Sequence, residues 1–268
     1  MFGSVIFSKD RACQLDLLLR SIKDNFQELK NAKILYLGTN KEFEKGYEII
    51  KPLYPEFEWI KETNFVVDVL KLFYSFKKEF IVNFVDDEIV IRNMPVQNAL
   101  NFLRNPNVHC ISLRMAPHIN YCYTGNLVDP PPQFQKTENL YIWDWRKAQT
   151  PNGDWNYPSC INSHIYKTEE FIRYISVIQF QHPNGLEANF NNLRNNFQQY
   201  NICFEKSKSI NIANNLTQTG TNRHGNILEW QLDNMNKQLI LGRRLSIKPF
   251  YNFENTLATF EKEYEWEN

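Results

Sequence analysis

Three consecutive carboxylates, Asp86, Asp87 and Glu88, close the apolar run Phe80-Ile81-Val82-Asn83-Phe84-Val85. Adjacent acids repel one another unless water, a cation or hydrogen bonds compensate them, and a divalent metal is the simplest compensation. Oxygen-only side chains suit Mg²⁺ or Mn²⁺, which usually keep some waters and take further ligands from a substrate's phosphates. The competing reading is a solvated acidic turn. A second group, Ser8-Lys9-Asp10-Arg11, offers two cations to a diphosphate and a carboxylate to a base or ribose; read structurally, Asp10 caps a helix between two solvated cations. Glu187 falls in the first turn of a helix that the pattern runs to about Tyr200. A glutamate there is ordinarily a helix-dipole partner, and a general base if the fold brings it beside a metal. Trp143, Asp144, Trp145, Asp154, Trp155 and Tyr157 pair aromatics with acids, a good surface for sugar rings if exposed and ordinary hairpin packing if not.

The elements that must position these groups follow a regular rhythm. Ser4–Phe7 reads as a strand, Cys13–Phe26 as a helix with Leu15, Leu18, Leu19 and Ile22 on one face, and Lys33–Leu37 as a second strand. Thr39-Asn40 opens a second helix, Phe57–Ile60 is a short strand, Phe65–Phe76 a third helix, and the acid-tipped run from Phe80 a fourth strand. Strands alternating with helices predict an α/β fold with a mostly parallel sheet covered on both faces. In parallel order the Ser8–Arg11 turn and the three acids belong at the same sheet edge, where open α/β sheets bind ligands. A helix to Leu103 and a strand from His109 to Leu113 follow. After that the rhythm fails: Ala116–Ser159 reads as hairpins and long loops. Ser163–Thr168 reads as a strand entering a helix, Ile202–Phe204 and Ile210–Ile212 as strand fragments, Thr221–Asn226 as a polar loop, and Trp230–Leu241 as a last helix stopped by Gly242. The charged tail after Glu261 reads as solvated.

The 268 residues suit one large domain, 1–268, with a regular first half, 1–115, and an embellished second half, 116–268. Lys plus Arg and Asp plus Glu are both 30, which removes the basic bias expected of a nucleic-acid binder. Five scattered cysteines with no C-x-x-C pair read as reduced thiols. No apolar run approaches the ~20 residues that span a bilayer, so the expectation is a cytoplasmic protein with at most peripheral membrane association. No Gly-x-Gly-x-x-Gly and no Gly-Lys-Ser/Thr loop occurs, which disfavours dinucleotide oxidoreductases and P-loop NTPases.

In order and pattern, these residues resemble the inverting GT-A glycosyltransferases that use nucleotide sugars, of the glycosyltransferase 2-like kind. The resemblance rests on Ser8-Lys9-Asp10-Arg11 with Gln14-Leu15, on Asp86-Asp87-Glu88, on Ser159–Lys167, on Gly185-Leu186-Glu187 and on His224, over roughly the first 230 residues. It implies a GT-A-like sheet, Ser8–Arg11 and Asp86 as nucleotide contacts with Asp86 on the ribose, Asp87 and His224 as ligands of Mn²⁺ or Mg²⁺ with Mn²⁺ preferred, and Glu187 as the base. It also implies a nucleoside-diphosphate sugar donor, a glycan or lipid-linked glycan acceptor and a role in surface polysaccharide synthesis. Ala188 stands where a second acid is expected and Asn162-Ser163 where Asp-Gly is, with Asp144 and Asp154 as substitute bases. Two other classes share parts of the pattern. A sugar nucleotidyltransferase would need a glycine-rich basic loop after the first strand, which Ser8–Gln14 lacks; a non-catalytic module would bind a glycan or partner through the Trp/Tyr segment.

Overall fold

The computed structural model describes residues 2–29, 31–217 and 223–267. Its centre is a 10-stranded sheet. The strands used below are β1 (Val5–Lys9), β2 (Lys33–Leu37), β3 (Glu58–Lys61), β4 (Phe80–Val85), β5 (Glu88–Val90), β6 (Val108–Ser112), β7 (Leu140–Asp144), β8 (His164–Lys167), β9 (Tyr200–Phe204), β10 (Ser209–Ile212) and β11 (Thr259–Phe260). In the central sheet the order is β3-β2-β1-β4-β8-β6-β9-β7, with Gln135–Thr137 beyond β7 and Phe2–Gly3 beside β4. β1 to β4 are mutually parallel, as the βαβ rhythm requires. β8 runs against both β4 and β6, and β7 against β9, so these two reverse an otherwise common direction.

Period-2 alternation explains the two faces. Ile6 of β1 points into one apolar cluster with Leu15, Leu18 and Ile22 of helix α1 (Ala12–Asn25), while Val5 and Phe7 point into the other with Val69, Leu72 and Phe73 of α3 (Phe65–Ser75). Helix α2 (Lys41–Ile50) starts where expected, because the Asn40 side chain accepts from the N–H groups of Glu42 and Phe43. Helices α4 (Gln97–Leu103) and α5 (Thr168–Ile175) also stand near their predicted positions. β5, β10 and β11 form a separate 3-stranded sheet below the acidic turn.

Four expectations are corrected. Asp10 does not cap α1: the N-cap position is Arg11, without a side-chain cap bond. Helix α6 spans only Pro183–Asn191, because Pro183 at its first position and the His182 ring, which accepts from the Gly185 N–H, set its start. Glu187 therefore lies in its second turn, outside the reach of first-turn capping. Helix α7 (Leu232–Ile240) begins after a short 3-10 turn and ends at Gly242, whose φ of 87° supplies the left-handed residue. The C-terminal tail is not simply solvated, since Tyr264 is buried against Trp230, Trp266–Glu267 pairs with Arg244–Leu245, and Glu267 meets Arg20.

Candidate active site

A cavity of about 490 Å³ runs along the C-terminal edge of the parallel strands. Ser8, Lys9 and Arg11 line it from the end of β1, and Asp86 and Asp87 from the turn that joins β4 to β5. Because β8 is reversed, its entry segment Cys160–Asn162 arrives at this same edge, and Ser163 donates its N–H to the Asn83 carbonyl at 2.7 Å. Arg114 lines the cavity beyond β6, and α6 brings Glu187 to it.

The acids are compensated by an arginine. Arg11 Nη1 donates to Asp86 Oδ1 at 3.0 Å and to Asp87 Oδ2 at 2.6 Å, with all three side chains largely buried. Its other nitrogens donate to Asn215, Nε to Oδ1 at 2.9 Å and Nη2 to the carbonyl at 2.5 Å. Burial works against the Arg11 cation, but Asp87 and Asp86 outweigh it and raise its pKa. Asp86 is pushed up to about 6 by burial, with Arg11 pulling down and Asp87 pushing up. Its second oxygen accepts the Lys9 N–H at 3.0 Å. Glu88 leaves the group altogether: fully buried, it turns back to accept the Val85 N–H at 3.0 Å, and burial raises it to about 8. Thus one cation and one retained proton relieve the repulsion that suggested a metal.

Asp87 still fits a divalent cation. Its side chain keeps partial exposure to the cavity, and among the described residues each oxygen meets one donor, Arg11 on Oδ2 and Asn211 Nδ2 on Oδ1 at 2.6 Å, where a carboxylate oxygen has two lone pairs. One carboxylate plus diphosphate and water is a usual environment for Mg²⁺ or Mn²⁺. Among the described residues no three His, Cys, Asp or Glu side chains group as a metal cluster. His224 is exposed and does not line the cavity, though its neighbour Arg223 does; Thr221 and Asn222 of the same loop lie outside the described residues.

The remaining predicted residues separate. Ser8 Oγ is 2.7 Å from the Tyr47 hydroxyl, which also accepts the Arg11 N–H at 3.2 Å, so α2 pins the turn. Asp10, at φ 57°, points its carboxylate away from the cavity lining to accept from the Thr39 N–H at 2.7 Å and the Thr39 hydroxyl at 2.8 Å. Glu187 Oε2 accepts the Ile161 N–H at 2.9 Å and lies 2.9 Å from the Cys160 thiol. Arg114 Nη2 donates to that sulfur at 3.1 Å, and burial pushes the thiol well up. Asp154 stands in the cavity wall with its pKa raised by burial, against the pull of Arg114. It sits in a turn where Gly153 packs so closely on the Asp129 carboxylate that a Cβ would lie 2.4 Å from its Oδ1.

Asp144 is not a substitute base. It is buried under Arg146 and Gln199, outside the cavity. The sugar-platform reading also fails for Trp143, Trp145 and Trp155, which are buried with their indole N–H groups on the carbonyls of Trp155, Gln198 and Ile119. Of that set Asp154 and Tyr157 line the cavity. Sequence reasoning missed Arg114, Cys160, Asn211 and Asn215. Asn211 fell within the predicted Ile210–Ile212 strand and Cys160 within the Ser159–Lys167 stretch without being singled out, and Arg114 and Asn215 carried no signal.

No protein-family model matches the chain. It is 27% identical over 214 residues to the bifunctional glycosyltransferase pgtA of Dictyostelium discoideum, covering 70% of this chain and 27% of that protein. The chain thus spans about a quarter of the curated relative it matches. Among solved structures it is similar to S. aureus TarS 1–349, with a TM-score of 0.49, 11% identity and coverage of 78% of this chain and 60% of that one. TarS 1–349 in complex with UDP-GlcNAc gives a TM-score of 0.46 at 11% identity over 78% of this chain and 58% of that one. A cytidylyltransferase from Leptospira borgpetersenii gives 0.44 at 10% identity over 74% and 73%. With its α/β sheet, its acid-tipped fourth strand and a glycosyltransferase relative along most of its length, the chain resembles the GT-A-like glycosyltransferases.

Proposed function

We propose that the protein is an inverting glycosyltransferase that moves a sugar from a nucleoside-diphosphate sugar to a hydroxyl of a glycan or lipid-linked glycan, as a step in surface polysaccharide synthesis. The observation that carries the reading is a single cavity lined both by Lys9, Asp86 and Asp87 and by Glu187. Similarity to a bifunctional glycosyltransferase supports the same class.

In this reading Asp86 meets the ribose and Lys9 the diphosphate. Asp87 is the protein ligand for Mn²⁺ or Mg²⁺, which when bound supplies charge neutralisation for the departing diphosphate. The imidazole of His224 and the carboxylate of Asp10 are not part of the set, since neither lines the cavity. Glu187 takes the proton of the acceptor hydroxyl while that oxygen bonds to the anomeric carbon; the bond from that carbon to the diphosphate breaks, and its electron pair leaves with the diphosphate. The Ile161 N–H fixes which way the carboxylate points. Arg114, buried nearby, keeps two acids, Glu187 and Asp154, tolerable in one recess.

The test is release of nucleoside diphosphate from nucleotide sugars in Mn²⁺ or Mg²⁺ with a panel of glycan acceptors, with the anomeric configuration of the product read by NMR. Glu187→Gln should bind the nucleotide normally and lose ~10²-fold or more in turnover. A variant that keeps most of its kcat moves the role to Asp154.

A further inference from the structure

The cavity extends past the acids in the direction away from Glu187. Along the sheet edge the strands stand in the order β3, β2, β1, β4, then β8. Glu62 follows β3 directly, and its N–H donates to the Tyr36 carbonyl at 2.9 Å, which extends the β3 ladder by one residue and fixes where the side chain emerges. Adjacent strands are about 4.8 Å apart, so Glu62 lies three spacings, roughly 14 Å, along the edge from Asp86. With the ribose at Asp86, that backbone separation is one that a nucleoside can bridge together with an aspartate side chain at one end and a glutamate side chain at the other. If the diphosphate lies at Asp87 and the acceptor at Glu187, as proposed above, the nucleobase must reach towards β2 and β3.

That end is built for a flat ring with one polar edge. Leu35, Leu37 and Phe65 supply apolar walls, and Glu62 is the acid among the described lining residues there. The Glu62 carboxylate is half-buried and accepts no hydrogen bond from the described residues. Burial raises its pKa, against the charge of Lys9 and with that of Asp68 adding. It is an acceptor in a recess, without a donor.

We propose that Glu62 reads the ring N–H of the donor's nucleobase, so that the donor carries uracil, thymine or guanine and not cytosine or adenine. Uracil and thymine present N3–H, and guanine presents N1–H beside its amino group. At the equivalent position cytosine and adenine present a lone pair, which a carboxylate repels. A site that loses its hydrogen bond and gains a repulsion discriminates more strongly than one that merely loses contact. This inference rests on the proposed donor site and specifies its base.

Calorimetry with UDP, GDP, CDP and ADP in Mn²⁺ tests it. UDP or GDP should bind at least ~10-fold more tightly than CDP and ADP, the worth of about one hydrogen bond to a charged group. The matching N-methylated ligand, 3-methyl-UDP or 1-methyl-GDP, should fall to the CDP level. Glu62→Ala should abolish the difference, weakening UDP or GDP and strengthening CDP as the repulsion is removed, with the melting temperature unchanged. CDP or ADP binding as tightly, a methylated ligand binding like its parent, or a preference that survives in Glu62→Ala overturns the assignment of Glu62 and leaves the transferase reading standing. Failure of all four diphosphates to bind overturns both.

Discussion

Arg11 and Asp87 are 76 positions apart in the chain, yet Arg11 Nη1 and Asp87 Oδ2 lie 2.6 Å apart at the floor of the cavity. A removed partner leaves a buried charge uncompensated, which costs more than the pair contributes. Arg11→Gln should therefore destabilise the fold by about 3–5 kcal/mol. Without the guanidinium the largest influence opposing burial and Asp87 at Asp86 is gone, so protonation relieves the variant and the loss should be smaller at pH 5 than at pH 8. Chemical denaturation at the two pH values measures it, and an equal loss at both would remove Asp86 from the account.

Asp87 sits on a turn and not in the core. Asp87→Ala leaves Arg11 paired with Asp86 and Asn215, so it should stay folded, with some loss of stability, and lose metal-dependent nucleotide binding. Calorimetry with UDP and GDP, with and without Mn²⁺, reads this out; undiminished Mn²⁺-dependent binding would assign the cation elsewhere.

Glu88 predicts a pH-dependent stability. Its folded pKa of about 8 lies above the ordinary glutamate value, so between the two the folded state holds a proton that the unfolded chain has released. The Glu88 contribution to stability therefore falls as pH rises through that window, by up to about 1.4 kcal/mol per pH unit. Glu88→Gln mimics the protonated form and should flatten the slope. Urea melts from pH 5 to pH 8.5 of both proteins compare directly.

The Cys160 thiol lies 2.9 Å from Glu187 and 2.6 Å from Asn162 Oδ1, with its one proton serving either acceptor. Cys160→Ser keeps a donor, whereas Cys160→Ala does not. The alanine variant should lower kcat by roughly 3–10-fold, the worth of about one hydrogen bond, with the donor KM unchanged, and serine should restore it. Equal kcat in all three proteins would leave the Ile161 N–H as the group that orients Glu187.

Local rules carried the first half of the chain. Apolar periodicity and the Asn40 cap placed β1, α1, β2, α2, α3 and β4 within a few residues, and parallel order alone brought Lys9 and Arg11 to the edge that holds Asp86 and Asp87. What stayed illegible depended on partners far along the chain. Nothing local tells Arg11 that it meets Asn215, or Glu88 that it turns inward while its two neighbours do not. The same holds for Trp143 and Trp155, whose ring packing at 5.0 Å is an interior contact that composition reads equally well as a glycan surface. Glu187 was singled out from the sequence and lines the cavity, but it was misplaced by a turn, because His182 and Pro183 start the helix within the Pro-Gly stretch that reads as a turn.

The inward turn of Glu88 also alters the electrophoretic identity of the folded protein. The sequence counts 30 basic against 30 acidic side chains and an isoelectric point near 7.0, which assumes every acid ionised at neutral pH. With its carboxyl raised to about 8, Glu88 contributes less negative charge at pH 7 in the native molecule than in the unfolded chain. In isoelectric focusing, Glu88→Gln should move the position in urea to the basic side, because the unfolded chain loses an ionised acid, and should move the native position much less.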